Sequence, residues 1–148
     1  MEENRDEYFM RQALFEAKEA YDRDEIPVGV VIVYKDRIIA RGHNLTETLN
    51  DVTAHAEMQA ITSAAGVLGG KYLIGCTVYV TLEPCLTVTA LYSGSFVADV
   101  MHETLNRSAL AGFQKFAPKA LHPKTEIQGG VLQEDCARLM QDFFRNKR

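Results

Sequence analysis

At 148 residues, with 47% apolar and 24% charged side chains, the chain has the make-up of a soluble globular protein and the length of one domain, 1–148. No run approaches the roughly 20 apolar residues that span a bilayer, and Glu2, Glu3, Asp6 and Glu7 put negative charge where a signal peptide is basic, so no membrane association and a cytoplasmic location are expected. The net charge of −4 speaks against a surface that is basic throughout, but residues 115–148 hold seven basic and four acidic side chains, an end compatible with an RNA partner.

In chain order, the periodicity of Tyr8, Phe9, Ala13, Ala17 and Ala20 predicts an amphipathic helix from Glu7 to about Arg23. Pro27 ends it. Val28 to Tyr34 is β-branched and almost wholly apolar, the pattern of a strand buried on both faces. Lys35-Asp36 forms a polar turn into a second strand, Arg37 to Asn44, completing a hairpin. A helix follows from Ala54 to Ala65, with Thr53 as N-cap and Gly66 as its stop. Thr77 to Thr81 is the third strand, and Pro84 suits the first turn of another helix. Phe96 to Met101 reads as a strand interrupted by Asp99, and His102 to Ala111 as a short helix. Thr125 to Ile127 with Val131-Leu132 offers a last strand, and Gln133 to about Asn146 a closing helix with Cys136, Leu139, Met140, Phe143 and Phe144 inward. Strands alternating with helices imply an α/β layered fold. The three cysteines, an odd number in a reducing compartment, are free thiols or ligands rather than a disulfide framework. Cys76 and Cys136 read as small buried hydrophobes.

Two stretches carry candidate chemistry: Thr53-Ala54-His55-Ala56-Glu57, and Thr81-Leu82-Glu83-Pro84-Cys85. His-x-Glu followed by Pro-Cys-x-x-Cys is the signature of zinc base deaminases, in which His and two Cys hold the metal and Glu moves protons. Imidazole and thiolate are good zinc ligands, and a helix start favours the thiolate. The second cysteine is missing: Val88 stands in its place, and valine cannot bind zinc. His102, a lone histidine 17 residues past Cys85, reads as a surface side chain and not as a substitute ligand. Alone, His-Ala-Glu is usually a surface turn and Pro-Cys a buried thiol; together, each at a helix start, they point to a metal site.

The chain resembles the bacterial tRNA-specific adenosine deaminases of the cytidine and deoxycytidylate deaminase superfamily. Three blocks carry the resemblance: Ile26 to Val31 with Arg41-Gly42-His43-Asn44; Thr53 to Met58 through Thr77 to Cys85; and Glu134-Asp135-Cys136-Ala137 through Phe143-Phe144-Arg145. It implies a three-layer sandwich with about five strands in a mixed sheet covered by helices, one zinc ion, a homodimer, and hydrolysis of adenosine to inosine in the tRNA anticodon loop. Carried over, His55 and Cys85 are metal ligands, Glu57 is the proton shuttle, Asn44 contacts the target base or ribose, Val28 lines the base pocket and Ala56 offers it a backbone group. Leu86 to Gly112 departs from the family pattern, through decay, redesign or a local frame shift. With Val88 in the ligand position, zinc binding is expected to be weakened. Two alternatives stand beside the tRNA deaminase: a catalytically silent RNA-binding or dimerisation partner with the same fold, and a deaminase of a free base or nucleoside.

Overall fold

The computed structural model describes residues 4–51, 53–70, 72–82, 99–102 and 126–146. Among them the elements run α1 (Arg5–Asp22), β1 (Gly29–Tyr34), β2 (Arg37–His43), α2 (Ala56–Leu68), β3 (Thr77–Val80), β4 (Asp99–His102), β5 (Glu126–Gln128) and α3 (Gln133–Asn146). The strands form one five-stranded sheet in the order β2-β1-β3-β4-β5. β1 is antiparallel to both its neighbours, β3–β4 and β4–β5 are parallel, and the sheet is mixed, as the resemblance implied.

The central strand explains the layering. Every residue from Gly29 to Val33 is buried, because alternate side chains enter different cores. Val30 and Ile32 join Ala56, Ala60, Ile61 and Ala64 of α2 on one face. Val31 and Val33 join Phe9, Met10, Ala13 and Leu14 of α1, with Val131 and Cys136, on the other. The continuous apolar run is thus a strand covered on both sides. Cys76 and Cys136 are buried.

Glycine sets how closely the helices approach the sheet. A Cβ on Gly29 would lie 2.1 Å from the Ala13 carbonyl oxygen, and one on Gly42 would lie 2.5 Å from that of Ala56. Both obstacles are backbone, so α1 rests on β1 and α2 on β2 at distances that only glycine allows.

The hairpin turn has Lys35 at φ 50° and Asp36 at φ 60°, the positive-φ pair of a type I′ turn, whose twist matches that of the flanking strands. α1 is capped by Asn4, whose side chain accepts from the Glu7 N–H at 2.8 Å. Tyr8, expected on the inward face of α1, is exposed, and Met10 and Leu14 are buried instead.

α2 begins and ends later than its sequence pattern suggests. Thr53 is not the N-cap: its N–H and its hydroxyl both bond to Asp51 Oδ1, at 2.9 and 2.7 Å. This local turn holds Thr53 outside the helix, and the cap position falls to His55. Gly66 does not end the helix. Gly69 does, in the left-handed conformation at φ 74°, its N–H donating to the Ala65 carbonyl. The last strand includes Glu126–Gln128, and Val131-Leu132 is a turn into α3. Asp99 pairs within β4 in register with Thr77 and does not interrupt it, and His102 belongs to β4. The helix expected after Pro84 and the one expected over 103–111 lie outside the described residues.

Candidate active site

The site lies at the end of the sheet where β1 begins and β2 and β3 finish. A cavity of about 450 Å³ opens there, and its walls include Ile26, Val28, Asn44, His55, Ala56, Glu57 and Leu82. Each comes from a defined place in the fold. Val28 immediately precedes β1. Asn44 immediately follows β2, held by a hydrogen bond from its N–H to the Val28 carbonyl at 3.1 Å. His55 is the N-cap of α2, and Ala56 and Glu57 are its first two residues. Leu82 follows β3, which is tied to β1 through Gly29 N–H to Thr81 Oγ1 at 3.0 Å and Thr81 N–H to the Gly29 carbonyl at 3.1 Å.

Strand alternation sorts the Arg41-Gly42-His43-Asn44 motif. Gly42 and Asn44 face α2 and the cavity, whereas Arg41 and His43 face α1, where both meet Glu16; His43 Nδ1 lies 3.2 Å from its Oε1. The motif therefore divides between one cavity residue, one packing glycine and a polar cluster on the opposite face.

The electrostatics centre on Glu57, only 5% exposed. Burial pushes its carboxyl above the ordinary range, against weaker opposing pulls from its own backbone N–H and from His55. The His55 side chain caps no helix N–H and lines the cavity instead. Asn44 is 6% exposed, and its Oδ1 accepts from the Thr46 N–H at 3.4 Å. The structure thus brings five of the expected site residues, Val28, Asn44, His55, Ala56 and Glu57, onto one cavity. Cys85 and Val88 lie outside the described residues.

Six wall residues were not legible as site residues: Ile26, Thr46, Glu47, Asn50, Asp51 and Leu82. Four of them belong to the segment between Asn44 and Thr53, which closes on itself through Leu49 N–H to Leu45 O, Asp51 N–H to Thr46 O and Ala54 N–H to Asp51 O. Its available signal was Asp51 two residues before Thr53, the mark of a side-chain-closed turn. Those hydrogen bonds from Thr53 hold the Asp51 carboxyl below its usual range.

Among the described residues no three His, Cys, Asp or Glu side chains converge as a metal-binding group. His55 supplies one imidazole at the cavity, Cys85 can supply a thiolate, and Val88 supplies no donor atom at all. A catalytic zinc normally takes three protein ligands, so these residues do not complete the set.

The comparisons agree with the fold. The family model of the cytidine and deoxycytidylate deaminase zinc-binding region matches residues 3–103, and the chain belongs to this family of hydrolytic deaminases. Within it, the chain is similar to the tRNA-specific adenosine deaminases of Agrobacterium fabrum (strain C58 / ATCC 33970), 38% identical over 144 residues covering 95% of each chain, and of Aquifex aeolicus (strain VF5), 38% identical over 145 residues covering 96% of this chain and 95% of the other. A solved structure from a study of A-to-I editing by tRNA:A34 deaminases at the wobble position of transfer RNA superposes with a TM-score of 0.79 at 37% identity, over 89% of this chain and 98% of that one. The guanine deaminase of Bacillus subtilis is similar over a smaller part, 65% of this chain and 62% of that one, with 38% identity and a TM-score of 0.62. No helix among the described residues is long and apolar enough to cross a membrane.

Proposed function

We propose that this chain is a cytoplasmic deaminase of adenosine in the tRNA anticodon loop, built on a zinc site that is one ligand short. The observation that carries the reading is the meeting of Glu57 and His55 at the start of α2 with Asn44 and Val28 across one cavity. Whole-length similarity to tRNA-specific adenosine deaminases favours adenosine in tRNA over a free base. The partial match to guanine deaminase does not extend as far.

Hydrolytic deamination forms a bond from water oxygen to C6 of the base, breaks the C6–N bond and releases ammonia. Glu57 is assigned the proton transfers: it takes a proton from the attacking water and returns it to the leaving amine. Burial suits the task, since a carboxyl pushed above its usual range is readily protonated and can act in both directions. Asn44 orients the base or its ribose through its side-chain amide, Val28 packs against the base, and Ala56 offers a backbone group at the helix start. His55 and Cys85 are the zinc donors that remain, and the ion is held weakly.

Val88 favours a second reading, a silent family member that binds RNA or pairs with another chain without turnover. One experiment separates the two: incubate the purified chain and zinc with an anticodon stem-loop bearing adenosine at the wobble position, with guanine as a parallel substrate. Inosine in the stem-loop supports the deaminase. Ammonia from guanine alone transfers the assignment to a free base, and tight stem-loop binding without inosine supports the silent partner.

A further inference from the structure

Glu25 has no place in the chemistry above, yet it is fully buried, with 0% of its surface exposed. An isolated carboxylate in that position is strongly disfavoured unless hydrogen bonds compensate. They do: Glu25 Oε1 accepts from the Glu47 N–H at 2.9 Å and Oε2 from the Thr48 N–H at 2.6 Å. Burial opposes ionisation, but these bonds and one with the Thr48 side chain outweigh it, and the carboxyl is held below its ordinary range.

The backbone of Glu25 is fixed as firmly as its side chain. Its N–H donates to the Ala20 carbonyl of α1 at 2.9 Å, after a left-handed turn at Asp24 with φ 63°. On its other side the chain runs into Ile26 and Val28, both cavity walls. Glu47, together with Thr46, Asn50 and Asp51, lines the same cavity. A single buried carboxylate therefore joins two segments of the cavity wall, and its own backbone ties them to α1.

We propose that Glu25 is a positioning residue: it fixes the 44–51 segment as the outer wall of the cavity and so sets how tightly a base is held, without touching the base. The base-holding half of this inference rests on the deaminase reading; the fixing of the segment does not.

The test compares the wild type with Glu25→Gln, Glu25→Asp and Thr48→Val. Glutamine keeps the shape but turns an amide N–H₂ toward a backbone N–H, so one segment amide loses its acceptor. Hydrogen exchange at the Glu47 and Thr48 amides should then rise by about tenfold or more, the scale of one lost charge-assisted hydrogen bond. KM for the stem-loop should rise by a similar factor while kcat changes less, because the first turn of α2 is also held by its close packing on Gly42 of β2. Aspartate, which keeps the charge, should restore part of the affinity. Thr48→Val, at an exposed position, removes only the hydroxyl contact and should move both readouts the same way by less; it keeps the test decisive if Glu25→Gln does not fold. Unchanged amide exchange, or a fall in kcat with KM unaltered, overturns the proposal. A wild-type chain that neither converts nor binds the stem-loop overturns the deaminase reading and with it the base-holding half, and amide exchange alone then decides whether Glu25 fixes the segment.

Discussion

Position 88 is where a single side chain separates this chain from a complete ligand set. Residues three apart on a helix share a face, so with 85–91 helical, Val88→Cys would point a second thiolate at the ion that His55 and Cys85 are proposed to bind. We predict that Val88→Cys raises zinc occupancy, read by elemental analysis, and raises inosine formation on the stem-loop. Adding Glu57→Gln should abolish the gain in turnover by a factor of about 10² to 10⁴, the usual worth of general acid–base catalysis, while leaving the metal bound. Metal without turnover in the Val88→Cys chain would count against the deaminase reading. Glu25 gives a second prediction at this scale. Its folded-state carboxyl titrates below the ordinary value of 4.5, so its contribution to stability is fully present above that value and is lost as pH falls through the lower folded-state value. Melting temperature followed from pH 6 downward should therefore drop more steeply for the wild type than for Glu25→Gln. The difference between the curves isolates Glu25 from carboxylates such as Asp51 that titrate nearby; parallel curves would refute the assignment.

At the scale of elements, the placement of Glu57 depends on how closely α2 lies on β2. The Cβ of an alanine at Gly42 would stand 2.5 Å from the Ala56 carbonyl oxygen and 3.1 Å from the Ala60 nitrogen. Neither atom can swing away as a side chain would, so the first turn of α2 must shift as a body. We predict that Gly42→Ala lowers stability by about 1–3 kcal/mol, as overpacking does, and lowers kcat by displacing Glu57 and His55 together. Urea unfolding and steady-state kinetics check both parts, and a variant with wild-type kcat would show that the start of α2 is positioned by something else. The same helix shows where sequence reading reaches its limit. Its existence was legible in the stretch from Ala54 to Ala65, between a cap candidate and a glycine. Its boundaries were not, because Asp51 captures Thr53 in a competing turn, and because Gly66 is as acceptable inside a helix with open space around it as Gly69 is at the end.

For the whole molecule, β1 was legible because an unbroken β-branched run needs cover on both sides, and the five cavity residues followed from motifs that repeat across a known family. The wall formed by residues 46–51 was not legible, since Glu47, Asn50 and Asp51 look like any polar loop until Glu25 is seen to accept from the Glu47 and Thr48 amides. His102, read as the start of a helix, is a strand residue, because its pairing with Val80 of β3, and not local pattern, decides its conformation. The resemblance also implies a homodimer formed through the helix after Cys85 and the loops beside it. We predict that light scattering at micromolar concentration gives about twice the 16.6 kDa chain mass; a clean monomer would mean that the departure over 86–112 has removed the pairing surface.

The type I′ turn at Lys35-Asp36 lies at the far end of the β1–β2 hairpin from Val28 and Asn44. Six residues of strand at about 3.3 Å each put it roughly 20 Å from the cavity. Both turn residues are exposed, and neither borders the cavity, so the molecule has a handle and a working end on one hairpin. A tether or fluorophore fixed at that tip would hold the protein on a surface with its cavity turned outward, free to meet an RNA as bulky as a folded tRNA.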